Sequence, residues 1–206
     1  MPRLTQAVQE QRRRHISEAA IRVFARRGVS ATSMADIIEE TGRSAGSVYS
    51  HFDSKNQLMC FAAKALMEAR GDVLLNAVRE WDEPVNPQQV LRMIVADVIP
   101  PELGGVLLNL LAESVAEPDL GRVFEASLAE WKSALVDLLA GWGRVAEPAE
   151  RLRGVGQSGV LSRAADAILV AAHGILMRRA LLPDTDIDTL VADSLVEWEA
   201  VPSSGE

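Results

Sequence analysis

Apolar residues recur every three or four positions along most of this chain, which is the spacing of one face of an α-helix. Prolines and glycines separate these periodic stretches, and none of the stretches alternates strictly between apolar and polar residues as a half-buried β-strand does. We therefore predict an all-α protein. The predicted helices cover residues 9–27, 34–41, 45–51, 55–81, 87–99, 103–116, 119–140, 148–157, 162–182 and 187–200.

Residues 33–55 predict two short helices joined by a tight turn. Ser33 and Asp36 have the spacing of a capping box at the start of the first helix. Gly42 follows that helix, where a helix end favours a residue that tolerates positive φ, and Ser44 can cap the second helix. Two helices joined by a short turn that contains glycine form a helix-turn-helix, which can place its second helix in the major groove of DNA.

The second of these helices, over residues 45–51, is the candidate DNA reader. Val48 and Phe52 are four residues apart and are expected to face the protein interior. The helix begins with three small residues that would allow the backbone to approach base edges, namely Ala45, Gly46 and Ser47.

Three polar side chains lie off the inward face. Tyr49 and His51 carry polar tips that can reach phosphate oxygens, and Lys55 stands at the start of the next helix. A cation beside a helix N-terminus makes a favourable phosphate site. For Tyr49, partial packing on the first helix is an alternative to phosphate contact.

A longer pattern surrounds this helix and comprises Thr32, Ser33, Asp36, Ile37, Gly42, Ser44, Gly46, Val48, Tyr49, His51, Phe52, Lys55 and Leu58. In this pattern the chain resembles the DNA-binding domain of the TetR (tetracycline-repressor-like) family of transcriptional regulators, and Tyr49-x-x-Phe52-x-x-Lys55 is its most specific part. The resemblance covers about residues 10–58 and is one of architecture beyond them. It implies a three-helix helix-turn-helix domain at residues 9–58, joined to a larger helical ligand-binding and dimerisation domain at residues 59–206.

The resemblance also suggests roles for the side chains around the reader. We expect base readout from Arg43, Ala45 and Ser47, and close backbone approach at Gly46. Contacts with the DNA backbone are expected from Ser33, Ser44, Tyr49, His51 and Lys55. The chain departs from the family at Ser33, where threonine is frequent, and at Arg43, where a small apolar residue is frequent.

The net charge of the 206-residue chain is −8, which by itself argues against a nucleic-acid partner. The distribution of charge reverses that argument, because residues 1–55 carry +3 and residues 56–206 carry −11. A basic first domain on an acidic body suits a protein that binds DNA in one orientation. The arginine run at residues 12–14 is either a solvated helix face or a set of phosphate contacts.

The last two predicted helices are apolar around much of their circumference, and in the family such helices form a four-helix bundle with the partner subunit. The residues concerned are Ile168, Leu169, Ala172, Leu176, Leu190, Val191, Leu195 and Trp198, with Gly174 allowing a close approach. The alternative is that both helices belong only to the core. A homodimer would place two readers about 34–36 Å apart and so recognise a palindromic operator in double-stranded DNA.

The helical body is expected to hold a small-molecule effector of lipophilic character. Candidate pocket residues are apolar or aromatic with one polar group, namely Met93, Leu107, Phe124, Trp131 and His173. Core packing is the alternative role for each of them.

Other patterns indicate no further chemistry. The Gly-x-Gly-x-x-Gly run at residues 154–159 lacks the preceding strand of a dinucleotide site, so we interpret it as a helix end and loop. The aspartates at residues 184–188 lack the glycine and glutamate of a calcium loop, so we expect them to cap the last helix. We predict no enzyme activity, cofactor or metal.

The chain shows neither a secretory signal nor an uninterrupted membrane-spanning run, and its single cysteine, Cys60, excludes an internal disulfide. A cytoplasmic protein that does not enter a membrane is therefore expected. Cys60 is either a redox sensor or a small apolar residue on a helix.

These patterns favour a one-component repressor that a small effector releases from its operator. An activator of the same fold is an alternative that the sequence does not separate from a repressor. A second alternative, from a different class, is a helical ligand carrier whose helix-turn-helix is only structural.

Overall fold

The computed structural model describes residues 6–79, 84–142 and 156–195, and every regular element within those ranges is helical. The all-α prediction is therefore confirmed for the described part of the chain. The helices are α1 (Gln6–Arg27), α2 (Met34–Thr41), α3 (Ala45–Tyr49), α4 (Lys55–Arg79), α5 (Pro87–Met93), α6 (Pro101–Ser114), α7 (Pro118–Leu138), α8 (Gln157–Leu181) and α9 (Ile187–Ser194).

The described residues pack as two compact units. The first corresponds to Met1–Ala69 with Glu102–Ser127, and the second to Arg70–Pro101 with Leu128–Glu206. The predicted 9–58 domain lies inside the first unit, which also takes in the first part of α4, nearly all of α6 and the first part of α7. The boundary at residue 58 stays a prediction.

The core of the first unit forms where the apolar faces of α1 to α4 meet. The predicted inward face of α1 is buried as expected, and Phe24 is its largest buried side chain. Ile37 of α2 and Leu58 of α4 are each 0% exposed. Burying such side chains contributes about 1.5–3 kcal/mol each, so this core is what holds α2 and α3 in place.

The second unit contains one departure from regular α-helix. The predicted helix at residues 87–99 is α-helical only to Met93 and continues as a π-helical segment, Ile94–Val98. The amide of Ile99 closes this segment on the carbonyl of Ile94 at 2.9 Å. Two arginines bind carbonyl groups of this segment and of the residue that follows it.

Arg179 of α8 is one of these arginines and is buried. It donates to the carbonyl oxygens of Val95 and Ile99, the latter at 2.7 Å. Arg70 of α4 donates to the carbonyl of Val98 at 3.4 Å. These bonds join α4, the π-helical segment and α8 within the second unit.

Helix α8 begins at Gln157, five residues before its predicted start. Gly156 is the N-cap residue, and residues 157–159 form the first turn, so the loop interpretation of the glycine run was wrong for its described part. Val160 and Leu161 are buried directly after this turn, which anchors the helix start. Residues 154 and 155 lie outside the described residues, as do Trp81, residues 143–153 and Trp198.

The capping prediction for the last helix is confirmed. The Asp186 side chain accepts hydrogen bonds from the amides of Asp188 and Thr189 at 3.1 and 3.4 Å. The hydroxyl and amide of Thr189 are the main reasons why the pKa of Asp186 lies below its ordinary value. Capping therefore accounts for Asp186 at the start of α9.

The observed burial of side chains in α8 and α9 shows that the prediction of which residues could contact a partner subunit was wrong for most of them. Ile168, Ala172 and Leu176 are buried within the second unit, as are Val191 and Leu195. The helix exposes a different apolar row, in which Val170 is 74%, Met177 52% and Leu181 73% exposed. Gly174 lies in the same row and is itself exposed.

Helix α8 is also long and apolar enough to cross a membrane by length and composition. Nine of its residues are buried in the second unit, and one of them is the hydrogen-bonded Arg179. We therefore assign α8 to a protein core. The predicted absence of a membrane partner stays a prediction.

Candidate nucleic-acid interface

The start of α2 is fixed by a capping box. The amide of Asp36 donates to the Ser33 hydroxyl at 3.2 Å, and the amide of Ser33 donates to the Asp36 carboxylate at 2.8 Å. The hydrogen bond from the Ser33 hydroxyl to the carboxylate is the main reason why the pKa of Asp36 lies below its ordinary value, and the bond from the Ser33 amide lowers it further. The cap therefore sets the direction of α2 on the first turn, as the spacing predicted.

The turn between α2 and α3 depends on a left-handed residue. Gly42 has a φ of 62° and donates its amide to the carbonyl of Glu39 at 3.1 Å. This conformation is unfavourable for a side chain with a Cβ atom. After the turn, the amide of Ser47 donates to the Ser44 hydroxyl at 3.3 Å and caps α3.

The rotation of α3 about its axis is set by its buried side. Val48 and Phe52 are both 0% exposed, which confirms their predicted inward direction. The other side of α3 is open to solvent, since Tyr49 is 47% exposed. Ser47, His51 and Lys55 are half-buried, and the other expected contact residues are exposed, namely Ser33, Arg43, Ser44, Ala45 and Gly46.

Within the described residues, neither backbone conformation nor close packing requires a glycine at position 46. Its backbone is helical, and a Cβ atom added to it would meet nothing within 4 Å. Glycine is unfavourable inside a helix by about 0.5–1 kcal/mol relative to alanine. A close approach by another molecule would explain its presence here.

Lys55 has a structural contact that the sequence did not reveal. Its Nζ atom donates to the carbonyl oxygen of Val29 at 2.6 Å and so ties the start of α4 to the loop after α1. An ammonium group has three donors, so this bond leaves others for a phosphate. The expected phosphate role of Lys55 is neither confirmed nor contradicted.

Three arginines of α1 pair with acidic residues of α2. Arg22 and Arg26 both bind Glu40, and the Arg22–Glu40 distance is 2.8 Å. Arg27 binds Asp36. The bonds from Arg26 and Arg22 are the main cause of the lowered pKa of Glu40. Sequence reasoning missed these pairs, although both sides have the i, i+4 spacing that places residues on one helix face.

His51 lies in a cationic environment at the end of the reader. Burial lowers its pKa below the ordinary value, and the charges of Arg12, Arg13 and Arg43 lower it further. The free protein therefore favours a neutral imidazole at this point. An anion placed here would interact favourably with the arginines and with a protonated His51.

The expected effector-pocket residues fall into both units. Leu107 and Phe124 lie in the first unit, and Met93, Trp131 and His173 lie in the second. The four apolar ones are buried. Their role in binding an effector stays a prediction.

Two further contacts in the second unit bear on that prediction. Nδ1 of half-buried His173 is 2.6 Å from the carbonyl of Leu169, so the ring has a hydrogen-bond partner. A Cβ atom on Gly71 would lie 3.3 Å from Nε1 of Trp131, so the indole packs closely on α4. No local pattern indicates the Gly71–Trp131 contact, because it joins helices that are far apart in the chain.

Cys60 is half-buried, and its Sγ atom lies 3.7 Å from Oδ1 of Asn56. Burial first, and then the nearby charges of Asp119 and Glu117, raise the pKa of its thiol. A raised pKa makes the thiol less reactive, which favours the packing role. Among the residues that the structure describes, no group of three or more His, Cys, Asp or Glu could hold a metal ion.

This geometry has counterparts in known proteins. A family model described as bacterial regulatory proteins, tetR family, matches residues 16–59, which include α2 and α3. The HTH-type transcriptional regulator TtgR of Pseudomonas putida is 37% identical over 98 residues, covering 48% of this chain and 46% of that protein. The regulator AcrR of Shigella flexneri is 31% identical over 99 residues, covering 48% and 45%. This chain spans about half the length of these two relatives.

Solved structures match over nearly the whole chain. A TetR-family transcriptional regulator from Cytophaga hutchinsonii superposes with a TM-score of 0.72 at 20% identity and covers 94% of each chain. GusR from Salmonella enterica superposes with a TM-score of 0.66 at 20% identity and covers 96% of this chain and 99% of that chain. At this level of identity the likeness shows the fold, an amino-terminal helix-turn-helix domain followed by a larger helical region.

Proposed function

The chain belongs to the TetR family of bacterial regulatory proteins, and we propose on that basis that it is a DNA-binding transcriptional regulator that acts as a repressor. One observation carries the proposal. Helix α3 is fixed by caps and by two buried side chains, while the side that carries Tyr49 is open to solvent. A helix held in this way is suited to enter the major groove.

The side chains divide by the contacts that they can make. We assign base readout to Arg43, Ala45 and Ser47, and DNA backbone contacts to Ser33, Ser44, Tyr49, His51 and Lys55. An exposed guanidinium in the turn can donate two hydrogen bonds to guanine, whereas a phenol or imidazole reaches phosphate oxygens. The cationic surroundings of His51 support the second group.

The repressor is proposed to act as a homodimer through α8 and α9. The exposed row of Val170, Gly174, Met177 and Leu181 supports this, because isolated apolar side chains are common on a surface but a continuous helical row is not. A dimer places two α3 helices on a palindromic site, and this compensates for the small number of base contacts that one five-residue helix can make.

A small-molecule effector is proposed to release the repressor from DNA. It would bind in the helical body and favour a conformation in which the two readers no longer match the operator. The buried apolar residues Met93 and Trp131 and the half-buried His173 belong to the second unit and support a lipophilic ligand there. The protein is proposed to work in the cytoplasm, where its operator lies.

Selection of bound sites from random duplex DNA by the purified full chain tests the proposal. We expect a palindromic site whose binding survives competitor DNA and weakens with salt. Tyr49→Phe should weaken selected and random duplexes alike, whereas Arg43→Ala should change the preferred sequence. The matched control is Arg122→Ala, a change of an exposed arginine of α7. Failure to retain any duplex at low ionic strength would refute the proposal.

Compounds that release the selected duplex can then be screened. Release by an apolar compound, without unfolding, is the result expected for a repressor. A compound that strengthens binding instead would favour the activator alternative.

A further inference from the structure

The guanidinium group of Arg13 contacts two phenylalanine rings that also contact each other. Its central carbon is 4.6 Å from the centre of the Phe52 ring and 4.5 Å from that of Phe61. The two rings meet edge to face, with centres 5.4 Å apart and planes at 62°. Nη1 of Arg13 also donates to the carbonyl oxygen of His51 at 3.4 Å.

This contact joins three elements of the first unit. Arg13 belongs to α1, His51 and Phe52 lie just after α3, and Phe61 belongs to α4. The amides of His51 and Phe52 close the last turn of the reader on the carbonyl of Val48 at 3.0 and 3.1 Å. A helix of five residues is too short to be stable by itself, so such outside contacts set its direction.

We propose that Arg13 is a positioning residue for DNA recognition, an inference that rests on the proposed function. It fixes the direction of α3, so that Ala45 and Ser47 meet the bases in register when DNA binds. The two rings pack against the guanidinium, and its Nη1 is bonded to a carbonyl, so the group contributes through its shape rather than as a phosphate contact. Groups that are ordered before binding avoid the entropy cost of being ordered during it.

Two variants separate shape from charge. Arg13→Lys keeps the positive charge, but an ammonium on a flexible stem has no planar group to pack against the two rings. Phe61→Leu removes one ring without changing any charge. The matched control is Arg122→Lys, where an exposed arginine of α7 pairs with Asp119.

We expect each of the two test variants to bind the selected duplex at least tenfold more weakly than the wild type. Random duplex should be affected less than threefold, because its binding depends on charge more than on fine position. The slope of log affinity against log salt should not change, since the number of neutralised phosphates is the same. Arg122→Lys should stay within threefold of the wild type on both duplexes.

Hydrogen exchange in the absence of DNA provides the second measurement. Amide protection at His51 and Phe52 should fall at least tenfold in Arg13→Lys and Phe61→Leu, while the amide of Ile37 in α2 keeps its protection. If Arg13→Lys unfolds at the assay temperature, Phe61→Leu decides the question.

The outcomes that overturn the inference differ from those that overturn the function. Binding of the selected duplex by Arg13→Lys with wild-type affinity overturns the positioning role alone, as does an equal loss on both duplexes with a smaller salt slope. A wild-type protein that binds no duplex overturns the proposed function, and the positioning role with it.

Discussion

Replacement of Gly46 by alanine is expected to stabilise the fold and to weaken DNA binding. The added methyl group would stand in open space, with nothing within 4 Å, on a residue that is already helical. The substitution removes the extra backbone entropy that glycine loses on folding, which amounts to about 0.5–1 kcal/mol. In a chain of 206 residues, that gain corresponds to a rise in melting temperature of about 1–4 °C.

The same methyl group would face the DNA. If the first turn of α3 approaches base edges closely, each inserted methyl costs about 1 kcal/mol of binding free energy. A dimer carries two copies of α3, so the total cost of about 2 kcal/mol reduces the affinity about thirtyfold.

Circular dichroism melting and fluorescence anisotropy on a labelled selected duplex measure the two effects. Gly105→Ala is the matched control, because Gly105 is a helical residue of α6 that also has nothing within 4 Å of its added Cβ atom. The control should raise the melting temperature without changing DNA affinity. An unchanged affinity in Gly46→Ala, together with a raised melting temperature, would show that α3 does not approach the bases.

Three further predictions concern charge, capping and assembly. A phosphate would raise the lowered pKa of His51, so DNA affinity should increase as the pH falls from about 7.5 to 5.5. The increase is at most about tenfold per pH unit for each protomer, because one proton is taken up per His51. The affinity of the His51→Gln variant should not show this pH dependence. The free protein should lose stability over the same interval, since the unfolded chain takes up the proton first. Ser33→Ala removes the α2 cap and should lower the free energy of unfolding by about 1 kcal/mol, which corresponds to a fall in melting temperature of about 2–4 °C. An unchanged melting curve would contradict the role of the cap. Met177→Glu should convert the proposed dimer to a monomer in sedimentation experiments, whereas Val115→Glu, at a turn of the first unit, should not.

The helix-turn-helix was predictable because its determinants are local. Ser33 and Asp36 form the expected cap, Gly42 adopts the expected positive φ, and Val48 faces inward. Each of these follows from hydrogen bonds or periodicity within a few residues. The fold class followed for the same reason.

What could not be predicted depends on contacts between distant residues. The packing of Arg13 against Phe52 and Phe61 joins segments that no local pattern connects. The buried face of α8 could not be predicted either, because this helix is apolar around much of its circumference. Only packing against neighbouring helices determines that Ile168 is buried and Val170 is exposed.

The ion pairs between α1 and α2 change the meaning of the positive charge in this part of the chain. Counted from sequence, Arg22, Arg26 and Arg27 contribute to the charge of +3 on residues 1–55. In the structure they are bound to carboxylates of α2, so their charge is largely balanced where it arises. The arginines whose charge acts on His51 are a different set, which comprises Arg12, Arg13 and Arg43. The positive charge that acts at the end of α3 therefore comes from these three arginines. Under the proposed function, it would favour one orientation of the protein on DNA.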